Sequence, residues 1–332
     1  MKRQKTRKAS EPQKTRERIL VFDIIRVLCI AIIVYVHSEF FLIPEINNFI
    51  FQSGYGPFNI YPLALSGYAV YGMILISGAV LEYNYQGLEK LHGYLQFLFR
   101  RLIRIYPAFW MSLIFGLIIF PELWQAGLPR ILLEFTGFSV LSGLGTGPVI
   151  VIDWFIAAIV SLYLLFPLLS KIIRQYGLWS LAGFCLMSWG LRSVIISSGI
   201  LPEYRLWMWF PLCNAFEFCL GIYIVQTGWY PKKANTSPII RELSDLSYYV
   251  FIFHTLIIFA FGEYLYPFPK PLAAFDLALA SNKVPIAATI FYFQVMITIL
   301  VVSWITMKID TRFRSWILQR DAIRNFLNAG NG

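Results

Sequence analysis

A chain of 332 residues that is 58% hydrophobic, only 14% charged and has a mean hydropathy of +0.63 is not a soluble globule. Its net charge of +10 sits mainly in the first 18 residues and in short segments between apolar runs. That is the distribution of cytoplasmic segments of a membrane protein, and it does not imply nucleic acid.

The expected fold is therefore an all-α, polytopic membrane helix bundle with about eight to ten transmembrane helices embedded in a lipid bilayer. Both termini are expected in the cytoplasm. Residues 1–18 read as a basic cytoplasmic tail, 19–310 as one membrane domain and 311–332 as a cytoplasmic C-terminal tail. No internal repeat is visible. The apolar run after the basic tail is too long for the core of a signal peptide, so it reads as an uncleaved first span. Cys29, Cys185, Cys213 and Cys219 all lie in apolar stretches, as small buried hydrophobes do, and suggest no disulfide framework. His37, His92 and His254 are the only histidines and lack the close spacings of a metal site, so no metal is expected.

The first span, 19–42, carries Asp23, Arg26, His37 and Glu39. A charge at the bilayer centre costs roughly 2.5 to 3.5 kcal/mol, so such residues face a bundle interior or a watery cavity. Arg26 and His37 are eleven positions apart, which places them on one helix face and about 16 Å apart in depth. Asp23, three residues before Arg26, is spaced to hold its guanidinium.

After a turn-rich outer loop, a second span covers about 61–82, with Ser66, Gly67, Ser77 and Gly78 as small residues for close helix packing. An amphipathic stretch follows, read as an interfacial helix ending in Arg100, Arg101 and Arg104. Alone, this cluster is an ordinary topology anchor. Arg101 and Arg104 nonetheless point the same way and suit a pair of phosphates. His92, on the same helix, reads as solvated.

The third span is placed at about 104–121, and the Gly-, Ser- and Thr-rich 131–147 as a broken or re-entrant segment. Asp153 opens a fourth span. Spans at about 178–197, 207–226, from about 246, and 286–307 complete the series. Glu217 lies in the sixth and His254 in the seventh; Glu217 is an intramembrane carboxylate that can serve a functional site or pair with Arg192 or Arg205.

Several stretches, in this order, resemble the acyltransferase 3 family of membrane O-acyltransferases. VFDIIRVLCIAIIVYVHS resembles that family's first span, an Asp, an Arg, ten residues and a His. FRRLIRIYPAFW resembles its Arg-x-x-Arg segment followed by Tyr-Pro. DWFIAAIVSLYLLFPLL, FEFCLGIYI and LSDLSYYVFIFHTLII are similar to later, weaker patterns. The departures are a lower span count than the family shows and Asp153, which stands where many members carry a different polar residue.

The resemblance implies a transferase that moves an acyl group, most often acetyl, from acyl-CoA on the cytoplasmic side to a hydroxyl of a cell-surface glycan or lipid-linked sugar in the envelope. It implies a place in the cytoplasmic membrane of a prokaryote. Arg26, Arg101 and Arg104 would hold the CoA phosphates, and His37 would act as general base or as a covalent acyl carrier. Glu39, Asp153 and Glu217 are alternatives for orienting its imidazole. Asp23 and His254 are expected in structural or acceptor-side roles. The competing reading is a transporter or flippase that uses Arg26, His37 and Glu217 as a substrate or proton path.

Overall fold

The structure, a computed structural model, describes residues 18–42, 62–85, 88, 90–142, 147, 149–150, 152–199, 206–231, 237–261 and 284–329, with side chains except at 38–42, 62–65 and 284–292. Among these residues every regular element is helical: α1 (Leu20–Leu42), α2 (Pro62–Asn84), α3 (Leu91–Ile119), α4 (Leu128–Phe135), α5 (Asp153–Tyr176), α6 (Leu178–Ser198), α7 (Leu206–Trp209), α8 (Ala215–Thr227), α9 (Pro238–Ala260), α10 (Val284–Leu318) and α11 (Asp321–Asn328). Six of them are long and apolar enough to cross a membrane, namely α1, α3, α5, α6, α9 and α10. The chain is thus a multi-pass membrane helix bundle.

The amphipathic stretch and third span read as separate pieces are one helix. α3 runs unbroken through the Arg cluster and past Pro107, which is buried in its interior. At 29 residues it is about 44 Å long, more than a ~30 Å hydrocarbon core requires, so its arginine-bearing first turns extend beyond that core. Its apolar face continues from Phe97 through Ile105 and Phe109 without a break, and this continuity outweighs the charges and the proline as signals of an end.

Around 131–147 the chain is broken, as its composition suggests, into α4 and a short tight turn of helix at Ser139–Ser142. The backbone groups freed there find side-chain partners. Tyr106 donates its hydroxyl hydrogen to the Thr136 carbonyl (2.6 Å), and Trp110 donates Nε1–H to that of Phe135 (2.8 Å). Such substitution is what irregular backbone needs where water is scarce. The sixth span is also interrupted: α7 and a tight turn at Pro211–Asn214 lead into the 13-residue α8.

α2 packs most extensively on α8, then α1 on α2 and on α9. Close approach explains the first contact. A Cβ added to Gly221 would stand 2.0 Å from the Leu75 carbonyl oxygen, and one added to Gly78 would stand 2.1 Å from that of Phe218. Only hydrogen fits at either place, so the backbones touch.

One end of the bundle gathers the basic residues and is tied by buried polar networks. Glu82 of α2, 1% exposed, accepts hydrogen bonds from Ser170 (2.6 Å) and Arg174 (3.1 Å) of α5 and from Gln226 of α8 (3.0 Å). Asp310 of α10 accepts one from Tyr249 of α9 (2.5 Å) and pairs with Arg314 at 2.9 Å. Position 310 therefore lies inside a continuous helix. α11 then docks on the start of α3, where Gln96 donates to the carbonyls of Phe326 and Ala329, both at 2.8 Å. His92 stands in this contact, edge-on to Phe326. The first 17 residues, Glu39's side chain, Arg205 and residues 43–61 and 262–283 lie outside the described residues.

Candidate active site

α1 and α9 run in the same direction from the basic end, and their facing residues build the site. Near the far end, Nδ1 of His37 lies 2.7 Å from Nε2 of His254. The ring centroids are 5.0 Å apart and the planes differ by 9°, so the imidazoles meet edge to edge in almost one plane. The protons on the pair follow from the third partner. Nδ1 of His254 is 2.7 Å from the carbonyl oxygen of Phe251, which can only accept, so this nitrogen carries hydrogen. With the ring uncharged, Nε2 of His254 is an acceptor. His37 must then donate from Nδ1, and its Nε2 carries the lone pair of a base. His254 is fully buried.

Ten and eleven residues back toward the basic end, a second set of contacts joins the same helices. One oxygen of Asp23 accepts hydrogen bonds from Ser244 (2.6 Å), Arg18 (3.0 Å) and Arg26 (3.2 Å). Arg26 also donates to Oγ of Ser244 at 2.7 Å, and Arg18 reaches Asp245 at 2.8 Å. Asp23 is buried and Arg26 largely so. A buried guanidinium requires such a carboxylate, because its charge would otherwise be unpaired.

These residues line a cavity of about 670 Å³ at the basic end, together with Arg100, Arg101 and Arg104 of α3. Arg101 lies over the ring of Tyr85, 4.7 Å from its centroid, and Arg104 is 4.0 Å from Asp245. The wall changes character with depth. Toward the histidines it is formed by Met73 of α2 and by Phe155, Ile159 and Tyr163 of α5, spaced one turn apart on one face. The mouth is thus cationic and the inner end apolar, which suits a long ligand with an anionic head and a slender uncharged arm.

The structure brings together Asp23, Arg26, Arg101 and Arg104 in the cavity and His37 with His254 beyond it. It places Asp153 and Glu217 elsewhere. Glu217 forms a buried two-pronged pair with Arg192 of α6 (2.8 and 3.0 Å), whose guanidinium lies over Tyr71, 4.3 Å from the ring centre. Of the two partners the sequence allows for Glu217, Arg192 is the one found.

Asp153, fully buried at the start of α5, faces the backbone N–H groups of Gly147 and its own helix terminus without completing a hydrogen bond to either. Its neighbour Glu134 accepts hydrogen bonds from Ile150 N–H (2.7 Å) and Val149 N–H (3.0 Å), holding the irregular strand of chain that precedes α5. A Cβ on Gly147 would collide with that carboxylate at 2.2 Å. Burial, reinforced by the nearby Asp153 charge, pushes the Glu134 carboxyl up to about 8.

Sequence reasoning misses Glu134, Arg18, Tyr85, Ser244 and Asp245. Ser244 alone carried a signal. It stands ten residues before His254, as Arg26 stands eleven before His37, so the two spans share one spacing of polar group and imidazole.

A protein-family model described as an acyltransferase domain matches residues 19–241, two thirds of the chain. The matched range contains Arg26, His37, Arg101, Arg104 and Glu217 and ends just before Ser244 and His254. No curated protein and no solved structure matches the chain.

Proposed function

The chain belongs to the acyltransferase 3 family, and on that premise we propose that it transfers an acyl group, in the first instance acetyl, from acyl-CoA to a hydroxyl of a surface glycan or lipid-linked sugar. The observation that carries this reading is the alignment of the cationic cavity below the histidine pair on α1 and α9. The basic end faces the cytoplasm in this reading, as the positive-inside rule requires, so the donor enters from the side where CoA thioesters are made.

The residues fit that donor. Arg101 and Arg104, with Arg26 deeper, supply charge-assisted hydrogen bonds for phosphate oxygens, and the apolar inner wall accommodates the pantetheine arm and acyl end. His37 Nε2 takes the proton from the acceptor hydroxyl as its oxygen bonds to the thioester carbonyl carbon. The carbon–sulfur bond then breaks, and the leaving thiolate takes that proton from His37 Nε2. His254, accepting the Nδ1–H bond, keeps His37 in the required tautomer and shares the charge that develops on it. Asp153 and Glu217 take no part in these steps. The route to a glycan rests on the family resemblance, and the membrane is the cytoplasmic one.

The test is thiol release from acetyl-CoA by the protein in lipid nanodiscs mixed with envelope extract as the acceptor source, with CoA binding measured in parallel. His37→Ala is expected to lower release by about 10²–10⁴ and preserve binding. Arg101→Ala with Arg104→Ala is expected to weaken binding. A wild type that neither binds CoA nor releases thiol would remove the donor assignment, and substrate flux across proteoliposomes driven by a proton gradient would then favour a transporter.

A further inference from the structure

Phe155 stands where the cavity at the basic end meets the histidine pair. It is the third residue of α5 and, with Ile159 and Tyr163, forms that helix's share of the cavity wall. On its other side its ring packs against Phe251 of α9, with centroids 4.7 Å apart and planes at 60°. Phe251 is the residue whose carbonyl accepts the Nδ1–H bond of His254, and its ring centre is 5.9 Å from the His254 imidazole. On α9 the cavity lining ends at Tyr248, so the next turn presents Phe251 and the one after it His254. On the α9 side, therefore, this pair of phenyl rings stands between the cavity lining and His254.

We propose that Phe155 sets the size of the acyl group this protein accepts. The inference rests on the donor reading above. In acyl-CoA the acyl group is the end remote from the phosphates, so it leads as the thioester moves from the arginines toward His37. Along that path its surroundings change from guanidinium to the thioether of Met73, the Ile159 side chain and the Phe155 ring. Phe155 is only 5% exposed and is braced by Phe251, and close-packed interiors leave few voids larger than a water molecule. A two-carbon acyl group passes with a small adjustment of the ring pair. Each added methylene must displace a ring that is already in contact, and overpacking of this kind opposes the gain from burying another methylene.

The position of Phe155 on its helix points the same way. Ile159 and Tyr163 lie one and two turns closer to the basic end, alongside the stretch a pantetheine arm would occupy. Substitution there would alter affinity for all CoA thioesters alike. Phe155 is the α5 lining residue whose ring packs on the one that abuts His254, so substitution there should change the dependence on acyl length.

The experiment is competition binding on the full chain in nanodiscs, with acetyl-, butyryl- and hexanoyl-CoA displacing a fluorescent CoA derivative. Wild type is expected to prefer acetyl-CoA. Phe155→Ala is expected to shift the butyryl-to-acetyl affinity ratio toward butyryl by about tenfold, from two methylenes that gain space. Phe155→Leu should shift it less, and Phe155→Trp should move it the opposite way. Leu168→Ala, on the exposed face of the same helix, should leave it unchanged. A ratio within one preparation is insensitive to a fraction of unfolded protein, and the Leu and Trp variants keep the side-chain volume closer to native than Ala does. Ratios equal to wild type in all three Phe155 variants, in protein that binds acetyl-CoA, would overturn the role of Phe155 and leave the donor reading standing. A wild type that binds no CoA thioester would overturn the donor reading, and this inference with it.

Discussion

Arg26 donates a hydrogen bond to Ser244 at 2.7 Å, and eleven residues further along α1 and ten along α9 the same two helices meet again, also at 2.7 Å, through His37 and His254. Two parallel helices that touch at both levels hold Arg26 and His37 in fixed depth relation, about 16 Å apart. A ligand that spans them is positioned by the scaffold, as transfer between two bound reactants demands.

This register gives His254 a testable role distinct from that of His37. His254→Phe keeps an aromatic ring of similar size and removes the acceptor for the His37 Nδ1–H bond. His37 then samples both tautomers and loses its alignment. Turnover is expected to fall on the order of tenfold or more, while His37→Ala falls by about 10²–10⁴, the usual worth of a general base. CoA affinity should be unchanged in both. Equal turnover by His254→Phe and wild type would remove His254 from the site.

Asp23 receives three donors on one oxygen, and two of them are cationic. Asp23→Ala leaves Arg26 buried without its carboxylate, a change that costs about 3 to 5 kcal/mol for a fully buried pair and less here because Arg18 is part exposed. Thermal unfolding in detergent, followed by fluorescence, should show a clear loss for Asp23→Ala. The loss should be smaller for Ser244→Ala, which removes a neutral hydroxyl worth about 1 kcal/mol per bond.

Glu134 predicts a pH dependence whose sign is fixed by its raised pKa. In the unfolded chain the carboxyl ionises near 4.5 and in the folded protein near about 8, so between those values the folded state holds the extra proton. Its contribution to stability is therefore complete below about 4.5 and declines as pH rises toward about 8. Glu134→Gln removes this titration and retains an acceptor for the Ile150 amide. Thermal midpoints measured from pH 5 to 9 should decline for wild type and do so less for the variant. Parallel curves would show that Glu134 does not titrate in this range.

What the sequence could express was depth and face, and that is how much of the site it revealed. The eleven-residue spacing places Arg26 and His37 on one side of α1 because helix geometry is local. No local rule says which other helix that side will meet, so the pairing of Arg26 with Ser244 and of His37 with His254 is not legible in it. The arginine cluster marks an end by its charge, whereas an uninterrupted buried face keeps α3 whole through it. Glu134 was hidden for another reason. Its partners are backbone amides of an irregular segment, and irregular backbone has no periodicity to read.

The helix contact that the small residues did foreshadow supplies the last prediction. Gly78 of α2 and Gly221 of α8 each face backbone atoms of the other helix, so a methyl group at either place meets a carbonyl oxygen that has no rotamer to change. The helices would have to separate, and a small-to-large change in a packed interior costs about 1 to 3 kcal/mol even where side chains can yield. Gly221→Ala should therefore lower the thermal midpoint more than Gly183→Ala on α6, where a Cβ meets nothing within 4 Å. Because α2 also contributes Met73 to the cavity and packs on α1, separation at this contact should reach the site. CoA affinity is expected to fall in Gly221→Ala and to stay at the wild-type level in Gly183→Ala. Equal thermal midpoints for the two variants would mean that α2 and α8 are not in backbone contact.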